Sequence, residues 1–254
     1  MRYTGPKNRI ARRQGIDLGL KTPGSKSNER LLKKIAIPPG QHGLNKRRKV
    51  SERGNQIRET QKIRFMFGVT AKQLKNYFKK AVSTKGNTAL YLCTLLESRL
   101  DNTVYRLGFA PTRAAARQLT THGNITINGS VLDIASYQVK VGDVVSFKSE
   151  KTQKIPAVVK MLEIKDFVAP HWLERQAAVG KLIEKPNMDA LKDQIDLRLV
   201  IEFFSRPLNV GLTTIENIKT NTQEFFTTTS VQEFVTPVGP VSYTHLTLPT
   251  NREV

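Results

Sequence analysis

The chain has 254 residues and a formal net charge of +20 at pH 7, and 39% of its residues are hydrophobic. A positive excess of this size favours an anionic partner such as nucleic acid or an anionic membrane surface. The sequence has no apolar run of the roughly 20 residues that a membrane span needs, and its basic first residues lack the apolar stretch of a signal peptide. We therefore expect a nucleic-acid partner and no membrane partner.

The only cysteine, Cys93, excludes an internal disulfide and fits a reducing compartment. Its neighbours, YLCTLLESRL, predict a buried position on a helix. The four histidines have no metal-ligand spacing with it. We expect no metal site and no cofactor.

The positive charge is concentrated at the beginning of the chain. Residues 1–80 contain 22 Lys and Arg against 4 Asp and Glu, whereas residues 207–254 contain 2 against 4. Residues 1–50 are also rich in Gly and Pro and show weak apolar periodicity. These features predict an extended basic arm that needs its partner in order to become fully ordered.

Helical periodicity follows the arm. Apolar spacing predicts helices over 51–68, 70–82 and 88–100, with Thr70 and Asn87 as N-caps of the second and third. A fourth helix is predicted from about 101 to 107, ended by Gly108, and a fifth starts at Pro111 and Thr112 and ends at Gly123.

A strand signal comes next. Residues 124–127 and 131–134 flank Asn128-Gly129, a dipeptide typical of the type I′ turn of a β-hairpin. A further strand is predicted within 139–148 after a Gly-Asp turn. The apolar segments 157–164 and 196–204 are short, and periodicity leaves the last one open between strand and helix.

These elements carry a family resemblance. The stretch RLDNTVYRLGFAPTRAAARQLTTHGNITINGSVLDIASYQVKVGDVVSFK (99–148) resembles the small RNA-binding module named after ribosomal protein S-four. GPKNRIARRQG near the start, PPGQHG (38–43), KGNTALYLCTLLESRLDN (85–102), PHWLE (170–174) and IEFFSR (201–206) extend the resemblance to the bacterial-type ribosomal protein itself, in its cysteine-free form.

The resemblance implies a cytoplasmic protein of the ribosome. It would be a structural constituent of the small subunit that binds the 16S-type ribosomal RNA (rRNA) as a primary binder and nucleates subunit assembly. It would contact neighbouring small-subunit proteins, line the path by which messenger RNA (mRNA) enters, and influence translational accuracy. The resemblance implies no enzymatic activity and no small-molecule substrate.

The expected fold class is α+β. We expect an extended basic arm (1–50), a discontinuous helical domain (51–87 and 187–206), and an inserted module of two helices and a twisted β-hairpin (88–186). Residues 207–254 would be a disordered or artefactual tail, since the last fourteen residues, VSYTHLTLPTNREV, resemble translated sequencing adapter.

Arg113 and Arg117 lie four residues apart on one predicted helix, where like charges cost roughly a few tenths of a kcal/mol. In the resembled module the two helices face RNA, so both arginines would pair with phosphates, although a merely solvated basic face is the alternative. We therefore expect replacement of both by Gln to leave the free protein no less stable, or slightly more stable, and to weaken its binding to small-subunit RNA. Thr112 would cap the helix and present its hydroxyl to phosphate, and His122 would either cap the helix C-terminus or contact RNA.

The candidate rRNA-binding residues are Arg2, Lys7, Arg9, Arg12, Arg13, Arg58, Lys62, Arg64, Arg99, Thr112, Arg113, Arg117 and His122. The candidate residues along the mRNA path are Lys46, Arg47, Arg48 and Lys49.

Two rival functions remain open on the sequence. The same module is an appendage of pseudouridine synthases, and Arg99-Leu100-Asp101 superficially resembles their catalytic stretch, but no large catalytic domain follows the module here. The chain could also act as an RNA chaperone or nucleoid-type protein through charge alone. That function predicts similar affinity for any duplex.

Overall fold

The computed structural model describes residues 3–43, 45, 49–164, 167–187 and 194–205. The helices of these residues are α1 (Lys7–Gln14), α2 (Lys26–Lys33), α3 (Glu52–Met66), α4 (Ala71–Ser83), α5 (Thr88–Glu97), α6 (Leu100–Arg106), α7 (Arg113–Thr121), α8 (Glu150–Gln153), α9 (Pro156–Leu162) and α10 (Leu197–Ser205). The strands are β1 (Ile125–Ile127), β2 (Ser130–Val131), β3 (Val144–Phe147), β4 (Leu173–Gln176) and β5 (Val179–Leu182). In this described part, no helix is long and apolar enough to cross a membrane.

The beginning of the chain is not an extended arm throughout, which corrects our prediction for residues 1–50. Helices α1 and α2 form there, and Ile10, Leu18 and Leu31 are buried. Each helix has only eight residues and few apolar side chains, so the periodicity was too weak to predict them. The apolar residues that are present anchor this segment onto the protein.

The predicted N-caps are present in the helical part. The side chains of Thr70 and Asn87 accept hydrogen bonds from backbone N–H groups of α4 and α5, and Gln73 completes a capping box with Thr70. Helix α5 ends earlier than predicted, at Glu97, because Arg99 already has the extended backbone of an N-cap and begins α6.

Two hydrophobic cores are joined in one compact unit that spans residues 1–207. The first core includes Ile63, Leu74 and Leu96, and α10 packs onto α3 beside it, so the ambiguous segment 196–204 is helical. Since α5 contributes to this first core, the two cores meet between Leu96 and Leu100, whereas we had placed the start of the module at residue 88.

The second core lies under an antiparallel sheet with the order β2-β1-β3-β5-β4. Strands β1 and β2 form the predicted hairpin, and Asn128 (φ 50°) and Gly129 (φ 83°) have the positive φ angles of a type I′ turn. Strand β3 confirms the strand predicted within 139–148. The hairpin of β4 and β5 was not predicted, and the apolar segment 157–164 forms most of α9.

Candidate nucleic-acid interface

Three adjoining cavities form a continuous concave surface whose lining includes residues of α1, α3 and α7. We call the first the α7 groove, of about 750 Å³; it is lined by Lys7, Thr112, Ala114, Ala115, Arg117, Gln118, Thr121 and His122. The second, the central cleft, measures about 530 Å³ and includes Tyr3, Lys7, Ile10, Leu20, Arg64, Phe65, Phe67, Asp101, Arg113 and Arg117 in its lining. The third, the α1–α3 cavity, measures about 410 Å³ and is lined by Tyr3, Arg9, Ile10, Arg13, Gln14, Gln61, Arg64 and Phe65.

Shared residues connect these cavities into one surface, which we call the basic track. Lys7 and Arg117 line both the α7 groove and the central cleft, and Arg64 lines both the cleft and the α1–α3 cavity. A cation therefore stands at each junction. A concave surface with cations along its length suits a polyanion better than a single small anion.

Most of the predicted RNA-binding residues that the structure describes lie on this track. They are Lys7, Arg9, Arg13, Arg64, Thr112, Arg113, Arg117 and His122. The side chains of Arg9, Arg13 and His122 are exposed. Residues distant in the chain thus converge on one face.

The α7 groove combines a helix N-terminus with polar side chains. Thr112 caps α7 by accepting a hydrogen bond from the Ala115 N–H at 3.2 Å, as predicted. The positive end of the helix dipole and its free N–H groups favour an anion at this end. His122 is the C-cap residue, and its backbone N–H donates to the Gln118 carbonyl. Gln118 and Thr121 supply further polar groups to the groove.

Arg99 is a correction to the predicted RNA-binding residues. Its side chain is 0% exposed, forms an ion pair of 2.7 Å with Asp101, and donates a hydrogen bond of 2.6 Å to the hydroxyl of Tyr77. Burial alone would lower the pKa of this guanidinium, but the hydrogen bonds and charge of Asp101 outweigh it and raise the pKa above its ordinary value. Arg99 therefore stays charged inside the protein and is inaccessible to RNA.

Three more predicted cations lie away from the track. Arg12 donates hydrogen bonds to the carbonyls of Ile37 and Pro38, at 2.9 and 3.1 Å, and so holds α1 against the proline segment. Lys62 forms an ion pair of 2.6 Å with Glu59. Arg58 is half-buried on α3.

The remaining predicted residues can be placed only in part. Arg2, Lys46, Arg47 and Arg48 lie outside the described residues, as do Arg206 and the tail 207–254. Lys49 is described, and it is exposed.

Arg113 is held by aromatic and amide groups of the protein itself. The guanidinium of Arg113 lies 4.6 Å from the ring of Tyr105 and 5.0 Å from that of Phe67, and its Nε donates to Asn102 Oδ1 at 2.7 Å. Burial lowers the pKa of Arg113 below its ordinary value. These contacts contradict the expectation that Arg113 can be replaced without loss of stability.

Arg117 has a partner of opposite charge and keeps part of its side chain exposed. Its Nη1 lies 3.6 Å from Asp101 Oδ2 and donates to the Gly68 carbonyl at 3.3 Å, while its side chain remains 24% exposed. The carboxylate of Asp101 therefore offsets part of the repulsion within α7. The guanidinium still borders both the groove and the cleft.

A second buried ion pair supports the same region. Arg106 holds Glu97 through bonds of 2.7 and 3.0 Å, and Asn102 donates to the same carboxylate at 2.6 Å. Burial opposes ionisation of Glu97, but the hydrogen bond and charge of Arg106 outweigh it, so the pKa of Glu97 lies below its ordinary value. Asn102 bonds Arg113 as well, so this pair supports the helix that borders the groove.

The environment of Asp101 argues against the pseudouridine synthase alternative. Its two carboxylate oxygens are bonded to Arg99, and Arg117 lies close to one of them. A nucleophilic or general-base carboxylate needs access to substrate, whereas the side chain of Asp101 is 6% exposed.

Sequence reasoning missed several residues of the track. They are Tyr3, Phe65, Gln118 and Thr121. These residues carry no charge, so a search for basic residues does not select them. A signal for the buried ion pairs was present, because Glu97, Arg99 and Asp101 interrupt an otherwise apolar stretch. Charged residues in such a setting are typically paired.

Comparisons with known proteins agree with this architecture. The family model described as ribosomal protein S4/S9 N-terminal domain matches residues 2–97, and the one described as S4 domain matches residues 98–145. The small ribosomal subunit protein uS4 of Delftia acidovorans is 44% identical over 208 residues, which cover 81% of this chain and 99% of that protein. The proteins of the same name from Parabacteroides distasonis and Chromobacterium violaceum are 42% and 45% identical, again over 81% of this chain and 99% of each relative. The chain therefore belongs to the uS4 family of small ribosomal subunit proteins, a structural, RNA-binding family and not a family of enzymes.

Proposed function

We propose that this protein binds the rRNA of the small ribosomal subunit along the basic track, with RNA phosphates in the α7 groove and in the α1–α3 cavity. The observation that carries the proposal is the convergence on one concave face of cations from α1, α3 and α7. Arg9 and Arg13 project from one helix, Arg64 from a second and Arg117 from a third. Arginine side chains at fixed spacing suit phosphates, because the planar guanidinium can donate two parallel hydrogen bonds.

We further propose that binding occurs early and nucleates subunit assembly. The support is that the track is built by a compact unit with two hydrophobic cores of its own. Because buried ion pairs already hold this surface in place, the protein loses little conformational entropy when RNA binds. If so, the protein should bind naked small-subunit rRNA without any other protein, and its omission from an ordered reconstitution should delay the binding of proteins added later.

The basic run 46–49 supports a separate proposal, that it lines the path along which mRNA enters the subunit and influences translational accuracy. The support is the charge of the run, the exposure of Lys49 and the family resemblance. Replacement of the four residues by Gln should reduce photo-crosslinking of mRNA to the protein in assembled subunits and change the misreading rate of a reporter. Unchanged values of both would count against this role.

Neighbouring small-subunit proteins are the remaining proposed partners. Val131 in the hairpin of β1 and β2 is 47% exposed, and Ile134 and Val141, which follow it in the chain, are 55% and 52% exposed. Burial of such apolar side chains against a protein partner is favourable. Crosslinks from this hairpin to other subunit proteins would support the contact.

The test of the main proposal is an RNA competition experiment. The protein is titrated with small-subunit rRNA in the presence of unrelated structured RNA of equal length, at a fixed salt concentration. A specific binder keeps its affinity for small-subunit rRNA in the presence of the competitor, because the phosphates of the folded rRNA lie at positions that match the track. A protein that acts through charge alone loses binding in proportion to the competitor, and that result would favour the chaperone alternative.

A further inference from the structure

We infer that the central cleft accepts one unstacked base of the bound RNA, while the phosphates on either side of that nucleotide lie in the α7 groove and the α1–α3 cavity. This inference rests on the proposed function and specifies one part of it. It assigns a role to the apolar middle of the track, which phosphate binding leaves unexplained.

The first observation is the chemistry of the cleft walls. Ile10, Leu20, Phe65 and Phe67 line it, and the ring of Tyr3 stands at its edge with 44% exposure. An apolar wall disfavours a phosphate, which would lose hydration there without gaining a hydrogen bond. A nucleobase, in contrast, has an apolar face that binds well to aromatic and aliphatic side chains.

The second observation is the arrangement of the aromatic rings. Tyr3 and Phe65 meet edge to face, with ring centroids 5.8 Å apart and an interplanar angle of 75°. Both residues line the central cleft and the α1–α3 cavity, so the pair separates the two. The guanidinium of Arg64 lies 4.8 Å from the ring of Phe65 at the same position. An aromatic pair beside a cation is a surface on which single-stranded nucleic acid commonly stacks.

The third observation is the distribution of charge around the cleft. Lys7 and Arg117 stand where it opens into the α7 groove, and Arg64 stands where it opens into the α1–α3 cavity. The buried carboxylate of Asp101 is paired with Arg99 at 2.7 Å, so it does not repel an anionic ligand at full strength. Cations at both openings and an apolar wall between them match one nucleotide, with a phosphate on each side of a base.

The size of the cleft fits the same occupant. About 530 Å³ lies within the range of sites that bind small organic groups, and a duplex is too wide to enter it. The occupant must then be a nucleotide of a bulge, loop or junction, where a base leaves its stack at low cost. A free mononucleotide has the same chemistry and is the competing source.

The experiment replaces the rings and leaves the cations. Phe65→Leu and Tyr3→Leu each remove an aromatic ring from the cleft, and Tyr91→Leu removes an exposed ring of α5 as the matched control. We expect each cleft variant to lose about tenfold in affinity for small-subunit rRNA, with an unchanged slope of log affinity against log salt. The control should bind like the unaltered protein. Phe65 also packs against the first core, so a loss of RNA affinity in Phe65→Leu alone does not separate base stacking from misfolding. Tyr3→Leu therefore provides a second test, and the melting temperature of each variant is measured.

Ultraviolet crosslinking identifies the contact directly. In the unaltered protein bound to small-subunit rRNA, mass spectrometry should find one RNA base attached at Tyr3 or Phe65, and Phe65→Leu should reduce that attachment. Titration with AMP distinguishes the two sources of a nucleotide. Tight binding of AMP to the cleft, together with an RNA complex that lacks the crosslink, would assign the cleft to a free nucleotide and overturn the inference.

Failure of the inference differs from failure of the proposed function. The double variant Arg9→Gln/Arg13→Gln tests the phosphate contacts of the track separately. If it lowers the salt slope while the cleft variants bind RNA normally, the base does not enter the cleft but the track still binds RNA. If neither set of variants changes binding, both proposals are wrong.

Discussion

Arg99 and Asp101 form a bidentate ion pair inside the protein, with Nε 3.0 Å from Oδ1 and Nη2 2.7 Å from Oδ2. The third contact of the guanidinium, to the hydroxyl of Tyr77 on α4, connects the start of α6 to the first core. The pair therefore joins the part of the chain that carries α1 and α3 to the part that carries α7. The geometry of the track depends on this junction.

Removal of one partner of the pair should be strongly destabilising. We expect Arg99→Met to lower the free energy of unfolding by about 3–5 kcal/mol, because it leaves the buried carboxylate of Asp101 without its main partner. The double variant Arg99→Met/Asp101→Leu should be destabilised less than Arg99→Met, since both buried charges are then absent. Urea unfolding measures both values. A double variant less stable than Arg99→Met would contradict this account of the junction.

Stability should depend on pH through Glu97. The pKa of this carboxyl is depressed in the folded protein, so its contribution is complete above the ordinary value of 4.5 and is lost as the pH falls through the native pKa. Glu97→Gln should lower stability at neutral pH and flatten the acid side of the stability curve. The control Glu163→Gln, at an exposed position after α9, should keep the full acid dependence. Identical curves for Glu97→Gln and the unaltered protein would disprove the assignment.

Replacement of Arg113 and replacement of Arg117 should have different effects on stability and on RNA binding. Arg113→Gln removes a charged hydrogen bond and the stacking on Tyr105, and should cost about 1.5–3 kcal/mol of stability. Arg117→Gln should cost less stability, because the polar contacts of Arg117, at 3.3 and 3.6 Å, are longer than the 2.7 Å bond of Arg113. It should weaken RNA binding at a temperature where both variants are folded. Thermal unfolding and RNA titration of each single variant test this. Equal losses of stability with equal affinities would contradict the distinction.

The sequence predicted those elements that local signals determine. Thr70, Asn87 and Thr112 were identified as N-caps from their own side chains, and Asn128-Gly129 as a type I′ turn from its conformational preference. Helix α1 depends instead on Ile10, which reaches the first core, and α2 depends on its packing against α1. The hairpin of β4 and β5 likewise depends on pairing with β3, a contact between residues far apart in sequence.

The interface could be predicted as a set of cations but not as a surface. Charge pattern and family resemblance selected Arg9, Arg13 and Arg117, which the structure brings together. The same reasoning selected Arg99, because it considered the charge alone and not the apolar stretch around Arg99, which was the sign of a buried ion pair. Only the folded structure shows that each of its three nitrogens donates a hydrogen bond to Tyr77 or Asp101.

The measurement that tests the basic track most directly is the salt dependence of RNA binding by two charge-matched variants. Arg9→Gln/Arg13→Gln removes two exposed cations of α1 that line the α1–α3 cavity. The control, Lys75→Gln/Lys79→Gln, removes two exposed cations of α4 that are also four residues apart. These two lysines line none of the three cavities. Each lost phosphate contact lowers the slope of log affinity against log salt by about 0.7–0.9, so we expect the α1 variant to lose about 1.5 from that slope with small-subunit rRNA. The α4 variant should keep the slope of the unaltered protein. Equal slopes for the two variants would show that the track is not where the RNA phosphates bind.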